Sequence, residues 1–275
     1  MSEQTKIFEI FANTQIDAEG LVELFSWLDT EGIEELGNAI KVYVNKEQEP
    51  NLIPFLKEKA QELQLDFSTS ILEEKDWNEE WEKSFAPVQI GQIAGIRASF
   101  HKPFQDVNYD IVINPKMSFG TGHHATTRQV IEIMSTLDLK EKKVLDCGSG
   151  TGILSILAEK MGAKTVTAVD IDKWCFENHQ ENNQLNHTHN KIMLGGIEDI
   201  EENNFDLVLA NIQKNYLIEN STKLTQKIAP QGYLIISGFF QSDIPDILQA
   251  FEINNLSTIQ SSVSENWACI LLQKK

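Results

Sequence analysis

The chain contains 275 residues, of which 41 are acidic and 23 basic, and its formal net charge is −18. Because a protein that binds phosphates needs a basic surface, this charge argues against direct nucleic-acid binding and favours a basic partner. The N-terminal residues show no basic segment followed by an apolar core, and no apolar run reaches membrane-spanning length. We therefore expect no signal peptide, no membrane span and a cytoplasmic location. Cys147, Cys175 and Cys269 are far apart without a CxxC pair, which predicts reduced thiols in packing positions.

The first 70 residues predict a small α+β domain. Apolar residues recur at period two in the predicted strands and at helical spacing in the predicted helices. The predicted strands cover residues 5–12, 33–36, 39–44 and 67–72, and the predicted helices cover residues 17–29 and 52–63. The order β-α-β-β-α-β is typical of the ferredoxin-like arrangement.

The composition changes after this block. Residues 73–84 are highly charged, and Trp77 and Trp81 lie four apart on one face of a predicted helix. This helix could pack its two indoles on the surface of a domain, or it could link two domains at a set angle. We divide the chain into a domain over residues 1–70, a linker helix over 71–86 and a second domain over 87–275.

The strongest motif begins at residue 143. An apolar strand over residues 143–147 leads into Gly148-Ser149-Gly150-Thr151-Gly152, followed by an amphipathic helix and a second strand that ends at Asp170. Glycines allow a ligand to approach the backbone closely, and an acid about twenty residues further can accept hydrogen bonds from both ribose hydroxyls. A dinucleotide-binding turn would need a third glycine at position 153, where this chain has Ile153.

Further strands complete a doubly wound sheet. They are predicted over residues 191–194, 205–210, 232–238, 257–262 and 267–272. The acid-x-GxGxG turn that begins at Asp146 and the acid Asp170 resemble those of class I S-adenosylmethionine-dependent methyltransferases. That resemblance implies a Rossmann-like α/β core, and the seven strands predicted in this block fit it. The small ferredoxin-like α+β domain predicted over residues 1–70 precedes this core. The resemblance also implies that Asp146 orients the turn or faces the methionine amine, and that residues 195–199 contact the adenine.

The segment over residues 114–127 is rich in Gly, Thr and His and precedes a helix predicted over residues 128–137. Adjacent side chains such as His123 and His124 rarely point at one ion, and no second ligand motif supports them, so we expect no metal. The remaining histidines that follow the second strand are interpreted as surface residues. They are His179, His187 and His189.

Together, PKMSFGTGHHATT, DCGSGTG, VDID and LVLANI make the chain resemble the ribosomal protein L11 methyltransferase family (PrmA type) over nearly its whole length. The resemblance implies that Phe119 and Thr121 close over the methionine end of S-adenosyl-L-methionine. It also implies a substrate-recognition role for residues 1–70, and it gives neither His123 nor His124 a catalytic role. The positions that we expect to bind the cofactor are Phe119, Thr121, Thr127, Asp146, Gly148, Gly150, Asp170 and Asn211.

Asn211 is the candidate catalytic residue. It ends the fourth strand, and its side-chain oxygen can accept a hydrogen bond from an amine and direct the nitrogen lone pair at the methyl group. The Asn-Pro-Pro-Tyr signature of many amine and amide methyltransferases is absent, since Ile212-Gln213-Lys214 follows. We predict a monomeric enzyme that methylates lysine side chains of ribosomal protein L11, with an N-terminal amine as a further candidate. A class I methyltransferase for another protein or a small molecule, and a non-catalytic cofactor-binding module, are the alternatives.

Overall fold

A computed structural model describes residues 6–12, 32–36, 39–44, 53–55, 57–58, 62, 65–71, 85–114, 116 and 118–275. The chain divides into two compact units, Met1–Trp77 and Asn78–Lys275. The predicted helices at 17–29 and 73–84, with Trp77 and Trp81, lie outside the described residues. No helix in the described part of the chain is long and apolar enough to span a membrane.

The first unit contains one antiparallel sheet. Its strands are β1 (Lys6–Ala12), β2 (Gly32–Leu36), β3 (Ala39–Val44) and β4 (Leu65–Ile71). The spatial order is β2-β3-β1-β4, so β1 lies between β3 and β4 and pairs with both. Residues 53–55, 57–58 and 62 are helical, where the second helix was predicted. All four strands predicted from apolar periodicity are present.

The second unit is built on a seven-stranded sheet. Its strands are β8 (Lys143–Cys147), β9 (Thr165–Asp170), β10 (Lys191–Leu194), β11 (Phe205–Asn211), β12 (Ile228–Phe240), β13 (Leu256–Ser264) and β14 (Trp267–Lys274). The helices of the unit are α1 (Ala125–Met134), α2 (Ile153–Lys160), α3 (Lys173–Asn186), α4 (Lys214–Glu219), α5 (Ser221–Lys227) and α6 (Ile244–Glu252).

The order of this sheet is β10-β9-β8-β11-β12-β14-β13. The five strands from β10 to β12 run parallel, whereas β14 is antiparallel to both of its neighbours. The strand order reverses between β8 and β11, and ligands bind outside the carboxyl ends of the strands at such a switch point. The sheet therefore confirms the predicted α/β fold and indicates where its binding crevice lies.

Alternate residues of the central strands supply two separate cores. Leu207 and Leu209 of β11 face the core that includes α1 and α2. Val208 and Ala210 of the same strand face the core that includes α4, α5 and α6. This alternation buries both faces of the sheet, as expected for parallel strands covered by helices.

A second, three-stranded sheet was not predicted. It consists of β5 (Val88–Ile90), β6 (Ala94–Arg97) and β7 (Tyr109–Val112), in that order. Buried Ile96 and Ile111 belong to the core on the α1 and α2 side of the main sheet. Arg97 joins β6 to β7, because its Nε and Nη2 donate to the carboxylate of Asp110 at 2.9 and 2.7 Å.

Candidate active site

A cavity of about 400 Å³ opens at the carboxyl ends of β8, β9 and β11. Gly148 and Gly150 line it after β8, Asp170 after β9, and Asn211 at the end of β11. Phe119, from the segment before α1, closes another part of the wall. Five of the eight predicted cofactor-binding residues therefore meet in one cavity of a size typical of ligand sites.

Left-handed backbone conformations shape the glycine turn. Gly150 has φ of 54°, and a Cβ atom there would overlap the carbonyl oxygen of Phe119. Gly152 has φ of 81° and forms the N-cap of α2. The turn is also tied to the segment before α1, since Thr151 N–H donates to Phe119 O at 2.9 Å and Thr151 Oγ1 donates to Gly120 O at 2.6 Å. Only a glycine at position 150 leaves room for this close approach.

Asp170 is placed to bind a ligand hydroxyl. Its Oδ2 accepts from Gly150 N–H at 2.8 Å and its Oδ1 accepts from Asp172 N–H at 3.0 Å. Each carboxylate oxygen has a second lone pair, so both oxygens can accept one more hydrogen bond from the cavity side. The carboxylate is thus fixed in orientation and still able to accept from a ribose.

Asp146 lies behind the cavity wall. It is buried, and its Oδ2 accepts from Ser155 Oγ in α2 at 2.6 Å. Burial raises the pKa of Asp146 to about 6, and the negative charge of Asp170 adds to the rise, although the Ser155 hydrogen bond opposes it. Of the two roles implied by the resemblance, its contacts favour orientation of the turn over contact with a ligand amine.

The interpretation of His179 as a surface residue was wrong. His179 is fully buried, and its Nδ1 lies 3.0 Å from Ser149 Oγ. Its ring packs against Gly152 so closely that a Cβ atom at Gly152 would overlap it. Burial lowers the pKa of His179 to about 3, so the ring is neutral at pH 7 and supports the glycine turn from below. His187 and His189 are exposed, as predicted.

The segment before α1 contributes less than predicted to the cavity wall. Phe119 lines the cavity and is 52% exposed, but Thr121 does not line it, and Thr121 Oγ1 lies 3.2 Å from His123 Nδ1. Helix α1 begins at Ala125, three residues before its predicted start, because His124 acts as the N-cap and its Nδ1 accepts from Thr126 N–H. His124 also lines the cavity.

Asn211 has an unpaired acceptor beside the cavity. Its Nδ2 donates to Thr127 Oγ1 at 3.4 Å, while its buried Oδ1 has no hydrogen-bond partner among the described residues. Thr127 is fully buried and does not line the cavity. Thr127 contacts the amide of Asn211 without fixing its orientation, because a hydroxyl can both donate and accept, and Asn211 Oδ1 is left as a buried acceptor without a partner among the described residues.

Four rings form an aromatic rim: Phe119, His124, Trp267 and Phe240. The first three line the cavity together with Asn211, and Phe240 packs on Trp267. The ring centroids are 5.4 Å apart for Phe119 and His124, 4.7 Å for His124 and Trp267, and 4.3 Å for Trp267 and Phe240. Burial and the nearby Arg128 charge lower the pKa of His124, whereas the Glu265 charge raises it, and the net lowering favours the neutral ring. Of these rings, sequence reasoning assigned only Phe119 to the site.

The opposite end of the cavity follows β9 and β10. Gly195, Gly196 and Ile197 line it, in the loop predicted to contact the adenine. Cys147 and Cys175 both line the cavity, but Cys147 is buried in the core whereas Cys175 is only partly buried. The interpretation of all three cysteines as packing residues therefore does not hold for Cys175. No distinctive sequence pattern marks Cys175, because α3 carries few apolar residues.

The fold and the cavity define a class I S-adenosylmethionine-dependent methyltransferase. Three features suit this cofactor. Gly150 leaves no room for a side chain, Asp170 places a fixed carboxylate at the end of β9, and Asn211 places an unpaired amide oxygen at the end of β11. The family described as ribosomal protein L11 methyltransferase (PrmA) matches residues 8–275. The chain therefore belongs to this family, which confirms the resemblance seen in its motifs.

Two relatives and one crystal structure are similar to this chain and carry the name of the same family. The ribosomal protein L11 methyltransferase of Phocaeicola vulgatus is 41% identical over 209 residues, which cover 75% of this chain and 74% of the relative. That of Porphyromonas gingivalis is 39% identical over 207 residues, which cover 74% and 71%. The crystal structure of a ribosomal protein L11 methylase from Lactobacillus delbrueckii subsp. bulgaricus matches with a TM-score of 0.63 at 25% identity. It covers 70% of this chain and 100% of its own.

Proposed function

We propose that this enzyme transfers methyl groups from S-adenosyl-L-methionine to lysine side-chain amines of ribosomal protein L11, with its N-terminal amine as a further candidate. The observation that carries the proposal is the unpaired Oδ1 of Asn211, a residue that lines the cavity together with Phe119, His124 and Trp267. The names of the relatives support the choice of protein substrate.

We propose an orientation for the cofactor in this cavity. Asp170 would accept hydrogen bonds from the ribose, and the loop Gly195–Ile197 would bound the adenine. The methionine end would then lie along Gly150 and below Phe119. Asp170 is the one carboxylate among the described residues that line the cavity, which supports placing the ribose hydroxyls beside it.

The acceptor amine would lie between Asn211 and the aromatic rim. A lysine amine with an ordinary pKa of about 10.4 is protonated at pH 7 and has no lone pair to react. A carboxylate partner would stabilise that protonated form, whereas Asn211 Oδ1 can accept one hydrogen bond and leave the lone pair free. The aromatic rim also favours the neutral amine by desolvation, and its ring faces can contact the aliphatic part of the side chain.

The cofactor supplies a methyl group on a positively charged sulfur, which is a good leaving group. As the new N–C bond forms, the S–C bond breaks and its electron pair stays on the sulfur, giving S-adenosylhomocysteine. The amine must lose its proton to solvent before attack. The contribution of the protein is to align the amine with the methyl group and to exclude water, and both tasks fall to Asn211 and the rim.

We further propose a division of labour between the two units. Every described residue that lines the cavity belongs to the second unit, which leaves residues 1–70 available to recognise the protein substrate through their sheet. In this proposal residues 71–86 link the two parts. The net charge of −18 supports a monomer that attracts a basic protein in the cytoplasm and does not bind nucleic acid.

The test uses purified ribosomal protein L11, methyl-labelled cofactor and three forms of the enzyme. We expect the wild type to label the protein and Asn211→Ala to lose most of the rate while still binding S-adenosylhomocysteine. Asn203→Ala is the matched control, because Asn203 is exposed and its side chain donates only to the nearby Glu201 O, while its backbone bond from Lys143 Nζ does not depend on the side chain. Mass spectrometry of the labelled peptides identifies the methylated amines.

Other outcomes of this test would support a different function or a different role for Asn211. Cofactor binding without label on any protein or small amine would indicate a non-catalytic binding module. Label on a different acceptor but not on ribosomal protein L11 would refute the proposed substrate. Equal rates for Asn211→Ala and Asn203→Ala would remove Asn211 from the reaction.

A further inference from the structure

Helix α3 buries a polar face. Asn178, Asn182 and Asn186 recur every four residues, and each is buried together with the adjacent His179. We call the three asparagines the Asn row. A buried amide is unfavourable unless it is hydrogen-bonded, so the partners of the Asn row show what the helix is built to support.

The Asn row binds the backbone at the last residue of β7 and just beyond it. Asn186 Oδ1 accepts from Val112 N–H at 2.9 Å, and its Nδ2 donates to Val112 O at 2.6 Å. Asn182 Oδ1 accepts from Asn114 N–H at 2.7 Å, and Asn178 Nδ2 donates to Asn114 O at 3.3 Å. Val112 and Asn114 are alternate residues, so the helix side chains pair with one edge of the segment as a neighbouring strand would.

Asn182 also reaches the glycine turn. Its Nδ2 donates to Thr151 O at 2.8 Å. The other polar groups of Thr151 hold Phe119 O and Gly120 O. Asn182 therefore contacts both ends of the segment that brings Phe119 to the cavity. It bonds Asn114 directly, and it reaches Phe119 through Thr151.

We propose that Asn182 is a positioning residue that sets the affinity of the site for the methionine end of the cofactor. The inference rests on the cofactor orientation proposed above. At the adenosyl end, Gly195 N–H donates to Asp170 O, Gly196 N–H donates to Asp199 Oδ2 and Asp172 N–H donates to Asp170 Oδ1, while Gly150 N–H is the contact of Asp170 that comes from the glycine turn. Loss of Asn182 should therefore disturb the methionine end more than the adenosyl end.

Two ligands separate the two ends. S-adenosylhomocysteine carries both the adenosyl group and the amino-acid group, whereas 5′-methylthioadenosine lacks the amino acid. We expect Asn182→Ala to weaken binding of the first by about tenfold and that of the second by less than about twofold, as measured by titration calorimetry on the full chain. The ratio of the two affinities is informative because a general loss of structure would reduce both.

Asn183→Ala is the matched control. Asn183 is buried in the same helix, but its partners are Thr188 and Asn190 at the far end. It should leave the affinity ratio unchanged even if the protein unfolds at a lower temperature. Should Asn182→Ala fail to fold, Thr151→Val removes only the Oγ1 bond to Gly120, and we expect it to shift the ratio in the same direction.

The outcomes distinguish the role of Asn182 from the proposed cofactor orientation on which it rests. Equal affinity of the wild type for both ligands would overturn the proposed orientation and the role of Asn182 with it. A wild type that favours S-adenosylhomocysteine, combined with an unchanged ratio in Asn182→Ala or Thr151→Val, would overturn the role of Asn182 alone. Equal weakening of both ligands would likewise overturn it.

Discussion

Two buried titratable groups beside the glycine turn should give opposite pH dependences to stability. The pKa of Asp146 is raised by burial from its ordinary 3.8 to about 6, so the folded state binds this proton more tightly than the unfolded state does. Asp146 therefore favours the folded state increasingly as the pH falls from 6 towards 4. The pKa of His179 is lowered by burial from 6.5 to about 3, so the unfolded state takes up this proton first, and stability is lost as the pH falls from 6.5 to 3.

Where only the folded or only the unfolded state binds a proton, the free energy of unfolding changes by about 1.4 kcal/mol for each pH unit. This value gives the size of each effect between pH 7 and pH 5. At pH 5, which lies about 1.5 below the unfolded pKa of His179, that residue should have cost about 2 kcal/mol. Asp146 should have gained about 1 kcal/mol, since pH 5 lies about one unit below its folded pKa. In the wild type the two contributions partly cancel.

Single substitutions should separate them. Asp146→Asn should leave the His179 loss of about 2 kcal/mol, whereas His179→Asn should leave the Asp146 gain of about 1 kcal/mol. Urea denaturation of both variants at pH 7 and pH 5 measures the free energy of unfolding, and the two changes should differ by about 3 kcal/mol. All other titrating groups are common to both variants. The same pH dependence in both would refute the reasoning.

Three further predictions concern binding. Asp170→Ala should weaken S-adenosylhomocysteine binding by about 1–3 kcal/mol through lost hydrogen bonds, and unaltered affinity by calorimetry would exclude Asp170 from the site. Gly150→Ala should abolish cofactor binding, because the new Cβ would overlap Phe119 O; Gly91→Ala has a similar positive φ, 51°, but open space around the Cβ, and should reduce only stability. Trp267→Ala should raise the KM for the protein acceptor about tenfold while the cofactor Kd stays constant, and Trp267→Phe should restore much of the loss. A Trp267→Ala variant with weaker cofactor binding instead would contradict the position assigned to the aromatic rim.

The parts of the site that could be predicted are those encoded by neighbouring residues. Strand β8 is an apolar run that ends in glycines, and Asp170 ends the next apolar run. Parallel strands place their carboxyl ends together, so these two signals fix the position of the crevice without further information. Asn211 was predictable for the same reason, because it ends β11.

The parts that were missed depend on long-range contacts or on polar burial. Helix α3 buries asparagines and His179, and a search for apolar periodicity reads such a helix as a surface element. The spacing of its asparagines at i, i+4 was the available signal. The rim joins rings from a loop, a helix cap and two strands, and no local pattern links Phe240 or Trp267 to Phe119. Strands β5 to β7 have three or four residues each, which is too few to show a period.

The proposed arrangement gives the two ends of the cavity different charges. Asp170, which ends β9, has a carboxylate whose two oxygens each accept from one backbone N–H, and the ribose hydroxyls of the cofactor would donate to the remaining lone pairs. A carboxylate beside an amine nucleophile would stabilise the ammonium ion, which has no lone pair to react. Asn211, which ends β11, would offer the amine an acceptor without a charge. In this proposal, an aspartate at the end of β9 and an asparagine at the end of β11 let one cavity bind the cofactor and activate an amine.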